Sequence, residues 1–98
     1  MHVVFHRLVQ QDLREALDYY DSRGGKVLGD RFFSAAKDAV ERIASTPQQF
    51  HFVAKNIRRT NLKGFPYHFL YEERPTGIRI LVLRHHKRNP QFGSRRKS

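Results

Sequence analysis

The chain predicts a single α+β domain with the order β-α-α-β-β-β. Three observations carry this. Two blocks with helical periodicity are separated by Gly24-Gly25, and three segments rich in β-branched and aromatic residues are separated by turn compositions. A short β-like stretch precedes them all. The expected architecture is an N-terminal strand, then an antiparallel two-helix hairpin packed on a mainly antiparallel sheet. A C-terminal three-stranded meander completes that sheet.

Val3, Val4 and Phe5 between His2 and His6 form the first expected strand. Leu13, Ala16, Leu17 and Tyr20 then recur at i, i+3, i+4 and i+7, with Asp12, Arg14, Glu15 and Asp18 assigned largely to the opposite side. Gly24-Gly25 ends this first helix. The second carries Leu28, Phe32, Ala35, Ala36, Ala39, Val40 and Ile43 on one stripe, and Ser45-Thr46-Pro47 stops it, because proline disfavours helical geometry in the residue before it. Tyr19-Tyr20 and Phe32-Phe33 follow the helical periodicity and read as core and helix-pair packing rather than as stacking platforms.

The meander comprises Ile57–Leu62, Tyr67–Glu73 and Ile78–His85, with turns at Gly64-Phe65-Pro66 and Arg74-Pro75-Thr76-Gly77. The continuous apolar run Ile80-Leu81-Val82-Leu83 implies a strand covered on both faces, hence an interior strand, with the first strand beside it. Residues 1–90 form the domain. Residues 91–98, with Gly93, Ser94 and Arg95-Arg96-Lys97, read as a basic, frayed tail.

Charge separates the two halves. Met1 to Phe50 holds seven Lys/Arg and seven Asp/Glu, so the formal net charge of +10 lies wholly in residues 51–98. Such asymmetry, interleaved with Phe65, Tyr67, Phe69, Tyr71 and Phe92, suits a polyanion or an acidic protein. The absence of cysteine excludes disulfides, thiolate catalysis and Cys-ligated zinc. No apolar run approaches the ~18–20 residues that cross a bilayer, and no leader peptide is evident at the start. The expectation is a soluble cytoplasmic protein that does not engage membranes and uses no cofactor.

The candidate anion-binding residues are Arg58, Arg59, Lys63, Arg79, Arg84, His86 and Arg88. Arginine pairs its planar donors with phosphate or carboxylate oxygens. Strand alternation sends Arg58 and Arg59 to opposite faces, so these cations cannot all line one site. His85-His86 adds acid–base groups beside the charge. Metal-free RNA cleavage would need such a group with cations to stabilise charge on phosphorus, which makes His85, His86, Lys63 and Arg88 the candidate catalytic set of a nuclease. Adjacent strand residues face apart, so one imidazole at most enters a given site unless the strand has already ended. Glu72-Glu73 face apart for the same reason, and the six histidines show no helical i, i+4 pair, so no metal site is expected.

Several stretches together resemble the RelE/ParE superfamily of toxins from type II toxin–antitoxin modules. They are Asp12-Leu13-Arg14-Glu15-Ala16-Leu17-Asp18-Tyr19-Tyr20, Leu28-Gly29-Asp30-Arg31-Phe32, and Arg58-Arg59 followed by Phe65-Pro66-Tyr67-His68-Phe69-Leu70-Tyr71. The last is Ile80-Leu81-Val82-Leu83 running into His85-His86-Lys87-Arg88-Asn89-Pro90. The resemblance spans nearly the whole chain and implies an acidic antitoxin as partner. RelE-like members are similar to ribosome-dependent endoribonucleases that cut mRNA with basic residues and a C-terminal tyrosine or histidine. Lys63 and Arg88 stand where two of those cations would be, but no tyrosine follows Tyr71. The Phe-Pro-Tyr turn and the His-x-x-Arg-x-Pro ending look more like the ParE, or plasmid-stabilisation, side, which implies a poison of DNA gyrase acting by binding. The alternative is an mRNA interferase acting on the ribosome and mRNA. A third reading, apart from the resemblance, is a non-enzymatic nucleic-acid-binding module.

Overall fold

A computed structural model of the chain describes residues 2–96. Five strands form one mixed sheet: β1 (Val3–Phe5), β2 (Phe52–Ala54), β3 (Ile57–Asn61), β4 (Tyr67–Arg74) and β5 (Gly77–His85), in the order β1-β5-β4-β3-β2. β1 runs parallel to β5, and every other pairing is antiparallel. The helical segment α1 spans Val9–Ser45 and is broken at Gly25 (φ 71°, ψ −171°), a left-handed backbone that favours glycine. Unbroken, 37 residues would extend ~55 Å, longer than the 40 Å major dimension of the molecule. Instead the two arms fold together, and Tyr20 stacks on Phe32 with ring centroids 5.0 Å apart. The hairpin expected from Gly24-Gly25 is therefore present, with Gly25 as its break.

One face of the sheet packs on this hairpin. Phe32, Ala39 and Ile43 from the helical arms meet Phe69, Tyr71, Ile78, Ile80 and Leu83 from β4 and β5. Phe32 is the aromatic centre, with Phe65 and Tyr67 edge-on at 5.1 Å each. Phe69 and Tyr71 are thus core residues rather than part of an aromatic binding surface, and the Tyr71 hydroxyl donates to the Pro47 carbonyl at 2.5 Å. Tyr19 and Phe33, expected in the core with their neighbours, are instead about half exposed, because each lies one helical step off the inward stripe that Tyr20 and Phe32 occupy.

β5 lies inside the sheet beside β1, as the apolar run 80–83 implied. A register shift between Leu70 and Tyr71 on β4 sets Val82 opposite Leu70 and Ile80 opposite Tyr71. That irregularity is a β-bulge centred on Leu81, and it gives Val82 to the face away from the helices. The cover on that side comes from residues 90–96 of the expected tail. Gly93 (φ 79°) lies so close to Val82 that a Cβ there would stand 2.8 Å from a Val82 methyl carbon. Both the backbone angle and the approach demand glycine. Lys97 and Ser98 of the same stretch lie outside the described residues.

Two sequence expectations require correction. β2 was not foreseen, because its three residues are all exposed and show no alternation. Asp12, assigned to the solvent side of the first helix, is buried. It lies three residues after Val9 and four before Ala16, both buried, so its position is on the inward stripe. Its carboxylate pairs with Arg96 through two hydrogen bonds, at 2.5 and 3.0 Å, and accepts the Leu83 N–H at 3.1 Å. Arg96 in turn donates to the Leu81 carbonyl at 3.1 Å. β1 pairs with β5 only as far as Ile80, so beyond it the backbone groups of β5 that point away from β4 have no strand neighbour. The Asp12–Arg96 pair takes the place of one and closes that edge.

Candidate functional site

The cations concentrate where β5 ends against the turn between β3 and β4. The His86 N–H donates to the Pro66 carbonyl at 2.8 Å, which fixes the segment after β5 beside the turn that carries Lys63. Lys63 is exposed there. Around this end of the sheet two neighbourhoods form, one on each face.

On the face away from the helices, alternation places Arg59 of β3, His68 of β4 and Arg84 of β5 side by side, and His86 joins them. Arg84 Nε donates to His68 Nε2 at 2.9 Å. That nitrogen accepts, so the His68 proton sits on Nδ1, which donates to His86 Nδ1 at 2.9 Å. Arg59 Nη2 donates to the same His86 nitrogen at 3.1 Å. His86 Nδ1 is thereby an acceptor and its own proton is on Nε2. Burial, followed by the charges of Arg59 and Arg84 and the two neighbouring histidines, pushes the His68 imidazole down to about 3. The pKa of His86 is lowered by burial, then by Arg59 and His85. Arg84 also donates to the carbonyls of Pro90 and Phe92, at 2.8 and 3.1 Å, and so ties the C-terminal segment to this network.

On the helix side, His85 meets Tyr67 edge-on at 5.1 Å, and its Nδ1 accepts the Lys87 N–H at 3.0 Å. A groove of about 240 Å³ opens here between the first helical arm and the end of β5, lined by Glu15, Tyr19, Tyr67, His85, Arg88 and Phe92. The Arg88 guanidinium stands 3.9 Å from the centre of the Phe92 ring. Burial raises the pKa of the Tyr67 hydroxyl, with Tyr19 and Glu15 adding to the rise and Arg88 opposing it.

The structure thus brings together Arg59, Arg84 and His86 on one face, and His85 with Arg88 on the other, with Lys63 at the same end. It does not bring Arg58 or Arg79 to them. Arg58 faces the helices and clips the segment before β2, donating to the carbonyls of Phe50 at 2.6 Å and Gln48 at 3.2 Å and pairing with Glu73 at 3.3 Å. Glu72 pairs with Arg74 on the opposite face. Arg79 is the third residue of β5, six before its last, and is therefore about 20 Å from that end at the usual rise per strand residue. The residue missed from sequence was His68. Its mid-strand position opposite Tyr67 and Phe69 gave its direction, but nothing local showed that arginines on both adjacent strands would meet it. Among the described residues, no group of three or more His, Asp or Glu side chains is placed to hold a metal ion, and no helix is long and apolar enough to cross a membrane.

As arranged, both imidazoles of the His85-His86 pair have Nδ1 engaged as an acceptor and, when neutral, an N–H at Nε2. A general base needs an unoccupied lone pair, whereas a donor needs only the N–H. With Arg59, Arg88 and Lys63 at the same end of the sheet, this region offers hydrogen-bond donors and positive charge.

Fold and site together define a small, basic α+β domain whose helical hairpin backs one face of a sheet and which carries a cluster of cations at one end of it. The chain belongs to the ParE toxin family of the type II toxin–antitoxin system parDE, whose family model matches residues 3–90. Its fold is similar to that of a chain from the chromosomal ParDE toxin–antitoxin system of P. aeruginosa, with a TM-score of 0.77 and 17% identity over 87% of this chain and 95% of that one. No curated protein matches the sequence significantly.

Proposed function

We propose that this toxin acts by binding to and inhibiting DNA gyrase, without cleavage chemistry of its own, and that an acidic antitoxin neutralises it. The observation that carries this reading is the engagement of His86 Nδ1 by Arg59 and His68. The most concentrated basic site holds donors for an anion but no free base. Membership of the ParE family supports the same reading. Lys63, Arg59, His86 and Arg88 supply the charged contacts to the target.

The antitoxin reading is supported by complementary surfaces. A largely apolar groove of about 430 Å³ runs between β1 and both helical arms, lined by Phe5, Leu13, Phe33, Val40 and Phe69 with Lys37 and Arg7 beside it. An amphipathic acidic segment that folds on binding would cover the apolar lining and meet the cations.

Expression of the chain alone, with pulse labelling of new DNA and new protein, tests the target. DNA synthesis is expected to fall first while protein synthesis continues. Prompt loss of protein synthesis with codon-spaced cuts in translated messages would favour the mRNA interferase instead.

A further inference from the structure

A second concentration of cations lies at the far end of β5 from the site above. There, the end of β1, the residues leading into α1 and the C-terminal segment line an open concavity of about 960 Å³. Its lining includes His6, Arg7, Arg79, Ser94, Arg95 and Arg96, and, among the described residues, no carboxylate. Asp12 neutralises Arg96 from behind, whereas Arg7, Arg79 and Arg95 make no ion pair among the described residues. The Nε of Arg79 is buried with no hydrogen-bond partner among those residues. Such an orphaned donor is costly unless an acceptor reaches it. His6 is buried, and its Nδ1 accepts the Leu8 N–H at 3.1 Å, so the neutral ring carries its proton on Nε2 as one more donor. Burial lowers the His6 pKa, and the charges of Arg96, Arg7 and Arg79 lower it further, with Asp12 opposing them.

We propose that this cavity binds a small phosphate-rich anion, and that its ligand class is a nucleoside polyphosphate. Arg7, Arg79 and Arg95, none in an ion pair among the described residues although Glu72 stands opposite Arg79 in the sheet, match the charge of a di- or triphosphate, and their planar donors suit oxygens presented in several directions. Phe5 lines the same cavity and is 47% exposed, which leaves an aromatic surface for a base. The N-terminal end of α1 adds a favourable dipole beside the anion. The site is separate from the proposed gyrase-binding end and does not depend on that reading.

Calorimetric titration of the full chain with tripolyphosphate and with ATP tests the proposal. Both should bind saturably, ATP at least as tightly. Arg79→Gln is expected to weaken binding by about tenfold and Arg7→Gln by about fivefold. Lys55→Gln removes an exposed charge beside β2, at the opposite edge of the sheet, and should change affinity less than about twofold. Arg7 is exposed, so that variant remains informative if Arg79→Gln fails to fold. Absence of saturable binding would overturn the proposal. An equal loss in Lys55→Gln, or hexaglutamate binding as tightly as tripolyphosphate, would also overturn it.

Discussion

Asp12→Ala is expected to destabilise the protein by about 3 kcal/mol or more, and to lower its melting midpoint by at least about 12 °C. The side chains of Asp12 and Arg96 are only 4% and 10% exposed, so removal of the carboxylate strands a guanidinium and the Leu83 N–H out of water. Leaving one partner of a buried ion pair costs far more than an exposed pair would contribute. The effect should reach the site. Arg96 holds residues 90–96 on the sheet, and Arg84 reads the Pro90 and Phe92 carbonyls from beneath them, so loosening this segment frees Arg84 and, through it, His68 and His86. Asp12→Leu combined with Arg96→Met should recover part of the loss, because replacing both members removes the uncompensated charge. Chemical unfolding of the wild type and both variants, followed by circular dichroism, measures these changes. A single-variant cost under about 1 kcal/mol would show that the pair is solvated.

The second large effect is acid lability. A histidine in the unfolded chain takes up a proton near pH 6.5, whereas native His68 stays neutral down to about 3. Between those values the unfolded state holds more protons, so the His68 contribution is fully present above about pH 6.5 and is lost as the pH falls toward 3. His6 and His86, both lowered, act in the same direction. The slope from His68 alone approaches about 1.4 kcal/mol per pH unit within the window. His68→Gln should therefore flatten the dependence of unfolding free energy on pH between 7 and 4, whatever its absolute stability. Identical slopes in the two proteins would contradict the burial and charge environment assigned to His68.

Much of the fold was legible because it rests on local chemistry. Gly25 breaks the helix where Gly24-Gly25 said it would, and the run Ile80–Leu83 marked the strand that β1 and β4 flank. What escaped the sequence was long-range. Asp12 and Arg96 are 84 residues apart, and each alone reads as a solvated charge. The segment 90–96 has the composition of a tail, yet Gly93 and Arg96 fasten it over Val82 and the open edge of β5. The same limit applied to the site. Alternation showed that Arg58 and Arg59 face apart and that His85 and His86 do too, but only the register of three strands shows which cations share a face. The basic half that looked like one surface is divided among a network at one end, a groove behind it, a structural clip at Arg58 and a separate cavity at Arg79.

Inhibition by binding is most directly tested on purified components. Added in excess to DNA gyrase with relaxed plasmid and ATP, the full chain is expected to suppress supercoiling, and Arg59→Ala with Arg88→Ala should relieve much of that suppression. Undiminished supercoiling, together with message cleavage when the same protein is added to a translating extract, would contradict the account.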